Sequence, residues 1–298
     1  MSARQAGPEA GGGPDLAVAT AGDGGRRLSP SARASGGVAP LFGAQARAEL
    51  ASSLRAPDFV IGVVAIPVLL FLMFGPPNAR WTLPEGTRIS TMMMPGFGAF
   101  GILSLVLFSF GVEIAQERGK GFLRLLRATP APAWAYLGGK LAVSVVFAAV
   151  TLVALFAAGA AFAQVRLAPA DWARLSAVLL AGGIALAPMG FALGFLARPR
   201  AASTIGNLAF LPLSFASGFF FPLSQLPAFL RDLAPFLPTY HYGRLLWSSF
   251  APAEDVTAYT GIAPTDAATS VAWLVGTFVV FGALSIWAYH RDRRRDAA

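Results

Sequence analysis

The chain has 298 residues, of which 55% are hydrophobic and 13% charged, against about 25% charged in soluble domains, and this balance places it among polytopic membrane proteins. It contains no cysteine, which excludes thiolate nucleophiles, thiolate zinc sites, iron–sulfur clusters and disulfides together. The formal charge of +8 would suit nucleic acid if the basic residues were gathered on one soluble domain, but they sort by loop, so no nucleic-acid partner is expected.

Residues 1–40 are polar and rich in Gly, Pro and Ala, without the apolar core of a signal peptide, and read as a disordered cytosolic tail. Phe42, Ala46, Leu50 and Leu54 recur every four residues, with Arg47, Glu49 and Arg55 mostly off that stripe. The pattern predicts an amphipathic helix over 41–56 lying along the membrane interface; an ordinary solvated helix is the other reading. Apolar runs then predict spans over about 58–74 and 92–112, separated by a turn-rich loop, and over 137–162, entered past Trp134 and Tyr136. Two more follow at 175–196, closed by Arg198 and Arg200, and at 201–221, interrupted by Pro212. The last is predicted over 267–289, with Trp287 and Tyr289 at its exit and a basic tail over 291–298.

Six spans beginning in the cytosol put 17 of the 23 Lys and Arg on the inside, and only Arg80, Arg88, Arg166, Arg174, Arg231 and Arg244 outside. That asymmetry predicts a multi-pass protein of the cell membrane with both termini cytosolic. On the inside, between the second and third spans, a helical wheel places Phe122, Leu123, Leu125 and Leu126 on one arc and Glu117, Lys120, Arg124 and Arg127 on another. Two neighbours of different polarity are implied. On the outside, the apolar segment 222–247 is broken by Pro222, Pro227, Pro235 and Pro238, so no piece is long enough to cross. It reads as short helices that dip into the outer leaflet and return, with Phe229 and Phe236 among the apolar residues.

Catalytic signatures are missing. The sequence holds no phosphate-cradling Gly-rich loop ending in Lys-Ser or Lys-Thr, no Gly-x-Ser-x-Gly and no His-Glu-x-x-His, and its two histidines, His241 and His290, stand apart from any ligand-spaced partner. Intramembrane Ser and Thr such as Ser109, Ser144 and Thr151 are read as interhelical hydrogen bonders. The cores of the spans from Pro95 onward carry no Asp, Glu, Lys or Arg, whereas gradient-driven carriers bury such a residue as a relay at a cost of at least about 2.5 kcal/mol. The domain is therefore driven from outside itself or is passive. The basic helix after the second span either receives a motor protein or anchors to anionic lipid.

Two stretches resemble the permease subunits of type-2 ATP-binding-cassette (ABC) exporters, drug-efflux members in particular. One runs from Glu113 through Glu117, Arg118, Gly119, the Leu-rich helix and Thr129-Pro130 to Gly139-Lys140; the other runs from Ser217-Gly218 through Pro222, Pro227 and Pro238. Lys120 departs from the small or hydroxyl residue of that pattern. The resemblance implies an all-α fold of six transmembrane helices with an N-terminal interfacial helix, a cytosolic coupling helix and short outer re-entrant helices, all within 41–290. It implies a dimer of permease subunits in membrane lipid, docked on a separate cytosolic ATPase that binds ATP and Mg, with no cofactor in this chain. The coupling residues would be Glu113, Glu117, Arg118, Lys120, Phe122, Arg124, Leu126 and Arg127. The outer re-entrant residues would be Pro222, Pro227, Phe229, Phe236 and Pro238. Export of a hydrophobic or amphipathic, drug- or lipid-like compound is the implied function, and a secondary transporter or channel not powered by ATP is the alternative.

Overall fold

A computed structural model describes residues 61–127, 133–263 and 265–297, together with the isolated positions Gly43, Arg47, Leu50, Ala51 and Arg55. The tail over 1–40, most of the interfacial helix over 41–56 and the first residues of the first span lie outside the described residues. The described residues form helices and no strand; the sole β feature is an isolated antiparallel bridge between Thr82 and Arg88. Helices satisfy every backbone polar group within one segment, which is what hydrocarbon surroundings demand.

In chain order, α1 spans Ile61–Asn78 and α2 spans Ile89–Gly119. The short α3 is Phe122–Arg127, and the long α4, α5 and α6 are Ala133–Phe162, Pro169–Leu196 and Pro199–Ala216. Three short helices follow: α7 (Ala228–Leu233), α8 (Pro238–Ser248) and α9 (Ala253–Thr260). The chain closes with α10, Ala267–Ala297, which carries the expected sixth span on through the basic residues as unbroken helix. Cations in a last helical turn are favoured by the helix dipole. Among the described residues, five helices, α1, α2, α4, α5 and α10, are long and apolar enough to cross a membrane. The segment expected as the fifth span is helical as α6, but it is not among these five, and Arg200, Asn207 and Pro212 leave it less apolar than they are.

α2 is the hub. Its apolar stretch is 89% buried, against 22% for α1 and 17% for α10, which lie at the periphery. Small residues make this possible: a Cβ on Gly190 would sit 2.0 Å from the Val106 carbonyl oxygen, and one on Gly194 would sit 2.8 Å from that of Phe110. The two backbones of α2 and α5 thus touch directly, as tightly associated membrane helices do. At this contact α2 widens into a π-helical segment, Leu105–Glu113.

Side-chain contacts give the direction of each helix. α1 runs opposite to α2, Phe71 meeting Phe97 while Pro67 approaches Gly101. α4 also runs opposite, since Gly159 approaches Met94 while Thr151 approaches Gly101. α5 runs with α2, Leu179 lying near Gly98 and Leu193 near Gly111. α6 runs opposite: Gly206 approaches Val112, Phe210 packs edge-on against Phe108 and at a tilt against Phe100, and beyond its end Phe220 packs on Phe97. α10 runs with α5, Ser285 donating to the Pro188 carbonyl at 2.9 Å and Tyr289 packing on Phe195. Each long helix therefore reverses the direction of the one before it.

The glycine contacts generate a stability prediction. Gly190→Val is expected to destabilise the purified protein by about 1–3 kcal/mol through overpacking against the α2 backbone. Gly282→Val, where nothing lies within 4 Å of the new Cβ, is expected to leave the melting temperature nearly unchanged. A thermal melt of both variants in detergent checks the pair.

Candidate functional site

The last turns of α2 form a charged junction with four other long helices. On one face, Glu113 and Glu117, four residues apart and so stacked on the same side, both meet Lys140 of α4, whose Nζ lies 3.2 Å from Glu113 Oε2 and 3.2 Å from Glu117 Oε1. Tyr136, one turn before Lys140, donates its hydroxyl to Glu117 and sets its ring 5.6 Å from the Lys140 ammonium. Ser109, one turn before Glu113, donates to it at 3.4 Å. The Lys140 side chain is 0% exposed, and the two carboxylates are 41% and 22% exposed, so a desolvated cation is held by anions that still touch water. A buried ammonium is tolerable only with such partners.

The opposite face of the same turns grips other helices. Arg118 donates Nη1 to the Phe195 carbonyl and Nη2 to the Ala197 carbonyl at the end of α5, capping two acceptors that the helix terminus leaves open. Arg118 also pairs with Asp292 of α10 at 3.5 Å. Gln116 donates to Ser203 of α6 at 3.4 Å. One rigid stub thus touches α4, α5, α6 and α10.

α3 hangs from this stub. Gly121 has φ +78°, a left-handed conformation that glycine adopts without strain, and it separates α2 from α3. The helical wheel drawn through Glu117–Arg127 treats those residues as one helix, whereas the structure divides them at Lys120-Gly121. Glu117 consequently turns inward to Lys140 and does not share a face with Lys120. Of the apolar arc, Leu123 is the buried contact; Phe122 is 39% exposed with its ring 5.9 Å from that of Tyr136, and Leu125 is 70% exposed. Lys120 is exposed at the break. The side chains of Arg124, Leu126 and Arg127 lie outside the described residues.

At the far end of the bundle, Pro222 precedes a single 3₁₀ turn, Pro227 caps α7, and Pro238 opens α8, where its missing N–H is harmless. With α7 six residues long and α8 eleven, neither reaches the roughly 20 residues needed to cross. Phe229 and Phe236 are both exposed. α8, by contrast, is deeply packed: the Trp247 indole donates to the Met92 carbonyl at 3.0 Å, and the Tyr242 hydroxyl donates to that of Leu179 at 2.7 Å. His241 sits 2.8 Å from the Pro235 carbonyl through Nε2, which must therefore carry the proton, so Nδ1 accepts from Ser270 at 3.2 Å. Burial lowers the affinity of this imidazole for a second proton. Asp255 of α9 accepts from the backbone N–H groups of Glu85 and Thr87 at 2.8 and 3.0 Å, tying the α1–α2 loop to the same cap.

The sequence reading singled out the acidic and basic residues of the first end but missed that Lys140 neutralises Glu113 and Glu117. The matching four-residue spacings, Glu113/Glu117 and Tyr136/Lys140, are the signal that would have found it. Among the described residues, no three His, Asp or Glu side chains converge as a metal site.

A bundle of apolar helices with its charges confined to the ends is a membrane-embedded transport permease in architecture, and the comparisons agree. Residues 83–287 match the ABC-2 family transporter proteins, and the chain belongs to that family. It is also similar to a Bacillus subtilis (strain 168) protein named "Putative transport permease YvfS", 23% identical over 203 residues, covering 68% of this chain and 82% of that protein. The family is a transmembrane component that works in general with an ATPase partner.

The junction generates a second prediction. Lys140→Met is expected to leave two carboxylates facing each other and to cost about 1–3 kcal/mol, less than the ~3–5 of a fully buried pair because water reaches both glutamates. Adding Glu113→Gln and Glu117→Gln to Lys140→Met should recover part of the loss. Thermal melts of the single and triple variants in detergent decide this, and a triple variant less stable than the single one would count against the paired arrangement.

Proposed function

We propose that this chain is the membrane subunit of an ATP-driven exporter, moving a hydrophobic or amphipathic compound out of the cytoplasm with energy from a separate ATPase that binds ATP and Mg. It works as a dimer of permease subunits. The observation that carries this reading is the junction at the end of α2: a short helix, α3, with Phe122 and Leu125 exposed and Leu123 buried, is joined through Gly121 to a stub bonded to four other long helices. A force applied at α3 reaches most of the bundle from that point. α3 is therefore the coupling helix, with Lys120 and the exposed Leu125 at the docking surface and Leu123 as its anchor to the membrane domain. Arg124 and Arg127 belong to the same docking helix. Glu113, Glu117 and Arg118 transmit the push inward.

α6 is the sixth crossing in this reading. α5 and α10 point the same way, so the chain between them must return across the bilayer. α6 makes that return alongside α2, from Ala202, clustered with Val112 and Ala115, to Phe220 beside Phe97. The α3 end is cytosolic, with both termini, and the segment from Pro222 to Trp247 closes the outer side. A gradient-driven carrier or passive channel is the competing reading. It is disfavoured because Lys140, the buried cation at the start of the α4 span, is already matched by two carboxylates at the bundle's edge, and the other buried cation, Arg244, lies in the short α8 and not in a long helix.

Two measurements test this. Single cysteines placed at Thr82 and Ala170 in this cysteine-free chain should be labelled from outside intact cells, and those at Ala128 and Ala297 should be shielded. External labelling at Ala128 would overturn the orientation. Separately, the wild-type chain isolated in mild detergent should bring down an ATPase, identified by mass spectrometry. Lys120→Glu with Leu125→Asp should reduce its yield about tenfold, equivalent to about 1.4 kcal/mol, at unchanged membrane level. Undiminished yield, with undiminished ATP hydrolysis by the complex, would leave α3 as a lipid anchor.

A further inference from the structure

At the α3 end, a cavity of about 540 Å³ is lined by Arg118 of α2, Arg198 of the α5–α6 turn, and Arg291 and Asp292 of α10, over apolar walls that include Phe195 and Ala288. A second hollow shares Arg198 with it and adds Lys120 and Arg200. The carboxylates described at this end are already engaged, Glu113 and Glu117 by Lys140 and Asp292 by Arg118. Among the described residues, Arg198, Arg200 and Lys120 meet no carboxylate, and Arg291 lies over the Trp287 ring at 5.3 Å. Five cations thus line two hollows that share Arg198 and Pro199, with one acid among them, an excess of positive charge that calls for an anion.

The position narrows the anion. Trp287, 53% exposed beneath Arg291, is the kind of residue that marks the headgroup layer, and Leu196, 45% exposed, brings apolar surface to the cavity's rim. A ligand there meets guanidinium groups on one side and hydrocarbon on the other, which suits the headgroup of a membrane lipid and not a wholly hydrated ion. Guanidinium forks match the oxygens of a phosphodiester, and Asp292 accepts from headgroup hydroxyls while repelling a dianionic free phosphate. We propose that this cavity binds the glycerophosphate headgroup of an anionic phospholipid such as phosphatidylglycerol, clamping the ends of α2, α5, α6 and α10 together. The inference rests on the chain spanning a membrane and not on the ATPase reading, so either can fail without the other.

The test is lipid retention by the full purified chain, read by native mass spectrometry in detergent with added phosphatidylglycerol or phosphatidylcholine, with and without 10 mM inorganic phosphate (roughly the excess needed to compete for a guanidinium site). Wild type should hold one phosphatidylglycerol per chain, tightly, under conditions that strip phosphatidylcholine, and phosphate should not displace it. Arg198→Gln with Arg291→Gln should weaken that retention about tenfold, and Arg174→Gln, whose cation pairs with Asp171 at the other end, should not. If the double variant melts early, Arg198→Gln alone, exposed and outside the helix interior, carries the comparison. Equal retention by the double variant and wild type, or an equal loss in Arg174→Gln, would overturn the proposal. Displacement by phosphate would make this a site for a free anion, and equal retention of phosphatidylcholine would remove the charge recognition.

Discussion

The contact between the α2 and α5 backbones is the constraint on which the bundle depends. In hydrocarbon, apolar side chains gain nothing by leaving lipid for protein, so helices associate through close packing and through the few polar contacts available. Gly190 and Gly194 remove the side chains that would hold α5 away from Val106 and Phe110, letting many weak dispersion contacts form at once. α4, α1 and α6 then surround α2, and α10 packs on the free side of α5. That order explains why α2 is the buried helix although it is not the most apolar: mean hydropathy is 1.8 for α1, 2.0 for α2, α5 and α10 alike, and 2.6 for the outer α4. Burial follows the distribution of small residues, not the total of large ones.

Charge obeys a complementary rule. Interior positions exclude ions because desolvation is costly, so ionic contacts collect where the helices emerge. At the α3 end they do more than sit in water. Lys140 is fully enclosed, and Glu113, Glu117 and Tyr136 surround it, so α2 and α4 are fastened by a group that can leave its partners only by becoming an exposed or an unpaired cation. Arg118 fastens the other face of α2 to the ends of α5 and α10. The far end has its own fastening, with neutral indole and phenol groups on backbone carbonyls and Asp255 on two backbone N–H groups.

Much of this was legible from the sequence because hydrophobic run length is a strong signal in a membrane protein. The five most apolar helices fall where the runs do, and the four prolines of 222–247 do break that segment into short helices. What the sequence did not give was pairing. Glu117 sits on a helical wheel with Lys120 only if the helix continues through Gly119-Lys120-Gly121, and a wheel contains no information about where a helix stops. Lys140 falls within the span predicted over 137–162, and its counter-charges lie more than twenty residues earlier, beyond the reach of any local pattern. α6 is ambiguous by hydropathy, since Arg200 and Asn207 dilute it. Its direction is visible only in contacts with α2. Arg244 reads as a surface charge in a loop, yet it is buried in α8 with Tyr240 as its hydrogen-bond partner.

The position of Gly121 links these observations. Because the last turns of α2 are bonded on both faces, they cannot rotate without releasing Lys140 on one side or the α5 terminus on the other. The stub therefore moves only with α4, α5 and α10 or not at all. The segment after it is held more lightly: Gly121 is bonded through its backbone to Arg118 and Leu125, has no side chain, and a Cβ placed there would meet nothing within 4 Å. The left-handed backbone of Gly121 thus stands between the bonded junction and α3. Under the proposed function this sets the mechanical order, since a partner seated on α3 would first take up the slack at Gly121. Only then could it displace the bundle, and any displacement would be felt by four helices together because the ion pairs leave α2 no independent path.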